Sequence, residues 1–385
     1  MWLSDFTLVL PDRLVERGSL RIEGGRIAEI VETPVAGGLG GDGLHLTPGA
    51  VDMHGDMIEQ EIEPRTGVDM PMPIALASLD GRLAEAGATT AYASVSFSRA
   101  AKDGERRSAA HTASVIRDLH GARDGLRVDH RIHARFDIVY TEALGDLRAL
   151  VEAGMIDLVS LMDHTPGQGQ YRNAERFIDY LKSDMGLSDA AARARADAKI
   201  ADREAAEPAV MAVLREVSQL CRAHALPMAS HDDDTEAKTA LMAEIGCAIS
   251  EFPVTEAAAR SAVQAGMAVA MGAPNALRGR SYSGNLSARQ THALGLLGML
   301  AADYHPASIL PAMKILAESD PDGLPGAARL LAQGPAEALG LTDRGRLAPG
   351  LRADLAAVDL SGPGRAVATW REGRPIHSDG TLSGL

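Results

Sequence analysis

Pro48-Gly49-Ala50-Val51-Asp52-Met53-His54-Gly55-Asp56 is a short apolar run that stops on a His-x-Asp pair. Side chains two apart on a strand share a face, so His54 and Asp56 at a strand end can reach one metal ion from the same side. Such a pair also occurs in ordinary surface turns. Its meaning is therefore set by the rest of the chain.

Downstream, strand-like apolar runs end near His54, Ser94, Tyr140, His164, His231, Glu251, Gly272 and Asp303. Helix-like segments fill the gaps, at 73–85, 105–120, 144–152, 207–225, 235–243, 255–264 and 286–295. Strands that alternate with helices in this way predict an α/β chain folded as a (β/α)8 TIM barrel over 47–342. A doubly wound open sheet is the alternative, but no Gly-x-Gly-x-x-Gly turn opens a helix after the first strand. Residues 171–207, rich in Ala, Arg and Asp, break the rhythm as a charged helical excursion beside the barrel mouth. Before the barrel, Leu20, Ile22, Ile27 and Ile30 flank a Gly24-Gly25 turn, the pattern of a β-hairpin. Matching β-type segments return at Ala353 to Val358 and Ala366 to Pro375. The ends of one domain usually lie close together, so 1–46 and 343–385 are expected to form a composite β-sandwich domain.

The chain has 385 residues, 46% of them hydrophobic, enough for one large core and a satellite. A formal net charge of −14 opposes general binding of nucleic acid. Two cysteines, Cys221 and Cys247, give no disulfide framework and fit a reducing compartment. No apolar run approaches the roughly 20 residues that span a bilayer. The N-terminus lacks the pattern of a signal peptide, so the expected location is the cytoplasm.

In a barrel of this kind the active site lies at the carboxyl ends of the strands. His54 with Asp56, Asp137, His164, His231 with Asp232, Asp233 and Asp234, and Asp303 all fall there. Imidazole and carboxylate converging from several strands suit a divalent metal, with Zn²⁺ and Mn²⁺ both acceptable.

The opening strand, the split β domain and the run Gly345-Arg346-Leu347-Ala348-Pro349-Gly350-Leu351-Arg352-Ala353-Asp354-Leu355 resemble the amidohydrolase superfamily of metal-dependent hydrolases. A narrower resemblance rests on Met162-Asp163-His164-Thr165-Pro166-Gly167-Gln168, Ala229-Ser230-His231-Asp232-Asp233, Glu251-Phe252-Pro253, and Gly272-Ala273-Pro274-Asn275 through Arg278-Gly279-Arg280-Ser281-Tyr282-Ser283-Gly284-Asn285. These resemble the M proteins of the bacterial carbon–phosphorus lyase pathway. That family hydrolyses α-D-ribose 1-methylphosphonate 5-triphosphate to the 5-phosphate and pyrophosphate. The chain departs from the family at His54-Gly55-Asp56-Met57 (commonly His-Thr-Asp-Asn), Phe136-Asp137 (Cys-Glu) and Tyr282 (His). A related phosphorylated sugar is therefore an alternative substrate.

The resemblance implies one or two metal ions, with His54 and Asp56 holding the first, His164 and His231 the second, and Asp137 bridging them. It gives Asp303 the role of proton acceptor, although a helix N-cap also accounts for an Asp at that point. A triphosphate in an acidic protein needs local cations. Arg65, Arg172, Arg278 and Arg280 fall in loops after strands, where guanidinium contacts to phosphate are easy, and where exposed loop arginines are also ordinary. The competing readings are an amidohydrolase or deaminase that cleaves a C–N bond in a small cyclic substrate, and a non-catalytic scaffold. The expected partner is a small phosphorylated sugar, with no nucleic acid and no membrane, and homo-oligomerisation is left open.

Overall fold

The computed structural model describes residues 1–65, 67–98, 108–183, 185–281 and 284–384. Its first strands are β1 (Trp2–Val9), β2 (Leu14–Glu23), β3 (Arg26–Val31), β4 (Leu39–Gly40) and β5 (His45–Pro48). Between β2 and β3, Gly24 and Gly25 both take positive φ, 57° and 78°, which a two-residue turn matched to strand twist requires. The barrel follows: β6 (Ala50–Gly55), β7 (Ala88–Phe97), β8 (Asp129–Asp137), β9 (Leu158–Met162), β10 (Met228–His231), β11 (Ile249–Glu251), β12 (Ala268–Gly272) and β13 (Met299–Ala301). The chain returns through β14 (Leu355–Asp359), β15 (Arg365–Arg371) and β16 (Arg374–Ser378) to the first sheet.

Strands β6 to β13 pair in chain order, every pair parallel. The ring closes where the Asp303 N–H donates to the His54 carbonyl at 2.9 Å and the Asp56 N–H to the Asp303 carbonyl at 2.8 Å. The first and last strands are thus joined through the candidate site residues themselves. Val51, Met53, Tyr92, Leu158, Ala229, Ile249, Ala270 and Met299 fill the barrel interior, and a larger apolar layer lies between strands and helices.

Both termini contribute to one mixed sheet, ordered β16-β15-β14-β5-β1-β2-β3 with β4 against β1. The expected sandwich is hydrogen-bonded as a single sheet around Leu3, Phe6, Leu20, Leu46, Leu355, Val367 and Trp370. β14 pairs with β5 from Leu355 opposite Pro48 to Val358 opposite His45, which ties the end of the chain to its start.

The helical excursion is larger than its sequence pattern indicates. A helix Ala174–Ser183 precedes one of 35 residues, Asp189–Ala223, that absorbs both the charged run and the segment expected to begin afresh at 207. Pro208 lies inside it. The alanine-rich sequence before Pro208 favours helix strongly, and Val210, Val213, Leu214 and Val217 after it are buried, so packing carries the helix through the lost hydrogen bond.

Candidate metal centre at the barrel mouth

His54 faces the barrel because β6 breaks its pleat. Met53 packs inside the barrel, and the His54 ring also turns inward, 5.3 Å from the His133 ring and 5.9 Å from that of His231. Successive residues of a regular strand cannot share a face. The β6–β7 register slips between Asp52 and Gly55, which re-aims the side chain. Asp52 steadies the irregularity by accepting N–H groups from Ala302 at 2.8 Å and His54 at 3.3 Å. Burial pushes its carboxyl up to about 7.

Glu251, at the end of β11 and fully buried, orients two histidines. Its Oε1 is 2.6 Å from His54 Nδ1 and its Oε2 is 2.5 Å from His231 Nδ1. A carboxylate on Nδ1 fixes the tautomer and leaves Nε2 as the ligand atom, the arrangement seen behind metal-bound imidazoles. Burial opposes the charge on Glu251, but His54, His133 and His231 hold its carboxyl well below the usual range. Burial likewise opposes charge on His54, yet Glu251 and Asp56 raise it to about 10, so an ion binding at Nε2 would displace a proton. Burial keeps His133 and His164 neutral, at about 3 and about 4.

Asp232, Phe252 and Asp303 each follow a strand and take left-handed backbone, with φ of 54°, 58° and 58°. Each still donates its N–H to a neighbouring strand: Asp232 to Glu251, Phe252 to Ala270 and Asp303 to His54. Three such conformations at one rim turn side chains into the mouth at a cost in strain. Gly272 leaves room for Asp303, since a Cβ there would lie 2.9 Å from its Oδ2. The side chain of Asp303 caps no helix. The next helical turn, Pro306–Ser308, has His305 at its N-cap. Burial, and then Asp56, push the Asp303 carboxyl up to about 6.

Among the described residues three groups can hold a metal ion: His54 with Asp56 and Asp303, His164 with His231 and Asp232, and His54 with His133 and Glu251. His54 Nε2 and Asp232 Oδ2 are buried without a hydrogen-bond partner. Orphaned buried polar atoms call for an explanation, and these imidazoles and carboxylates suit a divalent ion. The mouth opens into a cavity of about 390 Å³ lined by His54, Asp56, Arg135, His231, Asp232, Asp303, Arg278, Asn275, Asn285 and Tyr304, among others.

The structure thus brings His54, Asp56, His164, His231 and Asp303 together. Asp137 stands apart from these groups: its carboxylate accepts the Val139 N–H at 3.0 Å, closing the turn that ends β8. Two residues earlier on the same face, Arg135 reaches the centre instead. Of the four arginines, Arg278 lines the cavity and meets the Tyr304 hydroxyl at 3.4 Å. Arg65, Arg172 and Arg280 are exposed and outside the lining. Gly279, at φ 68°, ends the helix Ala273–Arg278 and separates the courses of Arg278 and Arg280. Tyr282 lies outside the described residues.

Sequence reasoning gave no role to Glu251, His133, Arg135 or Asp52. Alternation along β8 places His133, Arg135 and Asp137 on one face, a signal that was available. The bulge that makes Asp52 matter carries no local sequence mark.

A parallel barrel with this mouth, joined to a sheet made from both termini, is the fold of the amidohydrolase superfamily. N-acetyl-D-glucosamine-6-phosphate deacetylase from Mycobacterium smegmatis superposes with a TM-score of 0.65 at 16% identity, covering 98% of this chain and 100% of that one. 5-Methylcytosine deaminase from Klebsiella pneumoniae gives 0.64 at 16% identity, covering 98% of each chain. At sequence level the chain is 34% identical over 367 residues to the alpha-D-ribose 1-methylphosphonate 5-triphosphate diphosphatase of Escherichia coli K12, covering 92% of this chain and 94% of the relative. The chain belongs to that diphosphatase family. No family model matches it. Among the described residues, no helix is long and apolar enough to cross a membrane.

Proposed function

We propose that the protein is a metal-dependent diphosphatase that cleaves α-D-ribose 1-methylphosphonate 5-triphosphate, or a closely related sugar triphosphate, releasing pyrophosphate. The observation that carries this reading is the 34% identity to the Escherichia coli enzyme across nearly the whole of both chains. The cavity supports it with an imidazole and carboxylate donor set and an arginine at the rim.

His54, Asp56 and Asp303, or His164, His231 and Asp232 opposite, are the residues that would hold a divalent ion. A divalent ion held there would supply Lewis-acid chemistry, lowering the pKa of a bound water toward about 7. Asp303 Oδ accepts the proton as the water oxygen bonds to the α-phosphorus. In the metal-free protein burial and then Asp56 raise this carboxyl to about 6, so it is ionised at neutral pH and can accept a proton. The anhydride P–O bond then breaks, and its electrons leave with pyrophosphate. Arg278 at the rim holds the departing phosphates.

The test is a product screen of the purified protein, with and without Zn²⁺ or Mn²⁺, on the sugar triphosphate, nucleoside triphosphates, cyclic amides, cytosine derivatives and N-acetylated amino sugars. Metal-dependent pyrophosphate release from the sugar triphosphate is expected. Ammonia or acetate release with no pyrophosphate would replace this reading by C–N hydrolysis.

A further inference from the structure

Arg135 is 7% exposed and projects from β8 into the middle of the centre. Its Nη1 donates to Asp56 Oδ1 at 2.8 Å, and its Nη2 is 3.2 Å from His231 Nε2. Its Nε is buried without a partner. Asp56 belongs to one metal-competent group and His231 to the other, so a single guanidinium spans the two.

This placement has two chemical consequences. An N–H directed at His231 Nε2 engages the lone pair that an ion on the His164, His231 and Asp232 group would need. A fixed positive charge between the groups also repels a second divalent ion where water screens little. His54 Nε2, by contrast, meets no arginine: the group beside it is Asp56 Oδ1 at 3.2 Å, a carboxylate that would share an ion with it. Burial disfavours charge on Arg135, but Asp56 and Glu251 keep it protonated. A planar guanidinium in a cleft that also holds Arg278 has the geometry to grip phosphate oxygens, and it is in place before the reaction begins.

We propose that Arg135 replaces a second metal ion: the chain loads one divalent ion, on His54, Asp56 and Asp303, and Arg135 supplies the other positive charge to the substrate phosphates. The charge-supplying half of this inference rests on the diphosphatase reading, whereas the ion count does not.

The experiment titrates metal-free protein with Mn²⁺, following bound ion by equilibrium dialysis and electron paramagnetic resonance. The variants are Arg135→Ala, Arg135→Lys and, should alanine fail to fold, Arg135→Met, which keeps the buried stem. The wild type and Arg135→Lys should bind one ion per chain. Arg135→Ala or Arg135→Met should bind two, with a spin-coupled signal. At one equivalent of Mn²⁺, inorganic pyrophosphate should bind the alanine or methionine variant on the order of ten- to a hundredfold more weakly than wild type, with lysine between. Two ions in the wild type would overturn the inference. So would one ion in Arg135→Ala together with unchanged pyrophosphate affinity. Ion counts of one and two in a protein that releases no pyrophosphate from any triphosphate would uphold the single-ion centre and sink the diphosphatase reading instead.

Discussion

The two ends of the barrel both bury histidine among carboxylates, and they treat these groups in opposite ways. Near the amino ends of the strands, Asp80 accepts N–H groups from Arg127 and Val128 at 3.0 Å each and meets His130 Nε2 at 3.0 Å, so both its oxygens are filled and within this group His130 Nδ1 alone is buried without a partner. Close by, Arg344 donates to Thr90 Oγ1 and to Asp129. At the carboxyl ends, His54 Nε2, His133 Nε2 and Asp232 Oδ2 are buried with no hydrogen bond. A filled set of partners stabilises a fold. An unfilled set costs stability and is kept where a ligand completes it. Substitutions at the floor should therefore move stability and leave chemistry intact, and those at the mouth should do the reverse.

The sharpest break of this contrast is Asp303→Asn. Asparagine tolerates the left-handed backbone at φ 58° and keeps the shape of the side chain. Loss of the proton acceptor should lower kcat by about 10²- to 10⁴-fold. The melting temperature should hold or rise slightly, because the neutral amide no longer faces the charge on Asp56. Steady-state kinetics and calorimetry on one preparation check both halves. Retention of more than a tenth of the turnover would remove Asp303 from the chemistry.

Glu251→Gln comes next. An amide cannot accept from both His54 Nδ1 and His231 Nδ1 as the carboxylate does, so both rings lose their fixed tautomer. Metal affinity should fall by roughly 10- to 100-fold, the usual range for a partner behind a ligating histidine. Competition with a chelator measures it. Unchanged affinity would mean that the ion is held without either of these rings.

How much of this was legible in the sequence follows the same division between local pattern and long-range placement. Alternation of apolar runs and helical segments gave the barrel, and the histidines that end β6 and β10, with the one two residues past β9, gave the mouth, because strand ends are local features. Glu251 escaped since its role depends on reaching across from β11 to rings on β6 and β10, more than a hundred residues apart in the case of His54. The family resemblance assigns Asp137 the bridging position and gives Arg135 no role. In the structure the last residue of β8 turns back to cap its own backbone at Val139, and its neighbour two residues earlier reaches inward. The sequence pattern divides the long helix Asp189–Ala223 at Glu207, because propensity cannot register the packing of Val210 and Val213.

The arginines offer a milder contrast, between cavity and surface. Arg278→Ala should lower kcat/KM for the triphosphate by about tenfold, the lower end of a charge-assisted phosphate contact on an exposed side chain, with metal content unchanged. Arg65→Ala, Arg172→Ala and Arg280→Ala should each stay within about twofold of wild type. A larger loss in any of these three than in Arg278→Ala would place the phosphate path elsewhere on the rim.

The smallest effect on turnover should come from the floor. Asp80→Asn keeps one acceptor oxygen for the two backbone N–H groups and loses the charge that faces His130, which should cost about 1–3 kcal/mol of stability and leave turnover and metal content as they were. The pH dependence identifies the cause. Burial alone would raise the Asp80 carboxyl, but His130 and the two backbone N–H groups lower it from its ordinary value of 3.8. A carboxyl whose folded pKa is depressed binds fewer protons in the folded than in the unfolded state as pH approaches 3.8. Its contribution is fully present well above that value and is lost as pH falls through it toward the folded pKa. The gap in stability between wild type and Asp80→Asn should therefore be widest near neutral pH and should narrow below about pH 4, measured by denaturant unfolding across that range. A gap that stays constant with pH would make the loss one of hydrogen-bond geometry, with no share for the charge. A fall in turnover at neutral pH would show that the floor and the mouth are coupled.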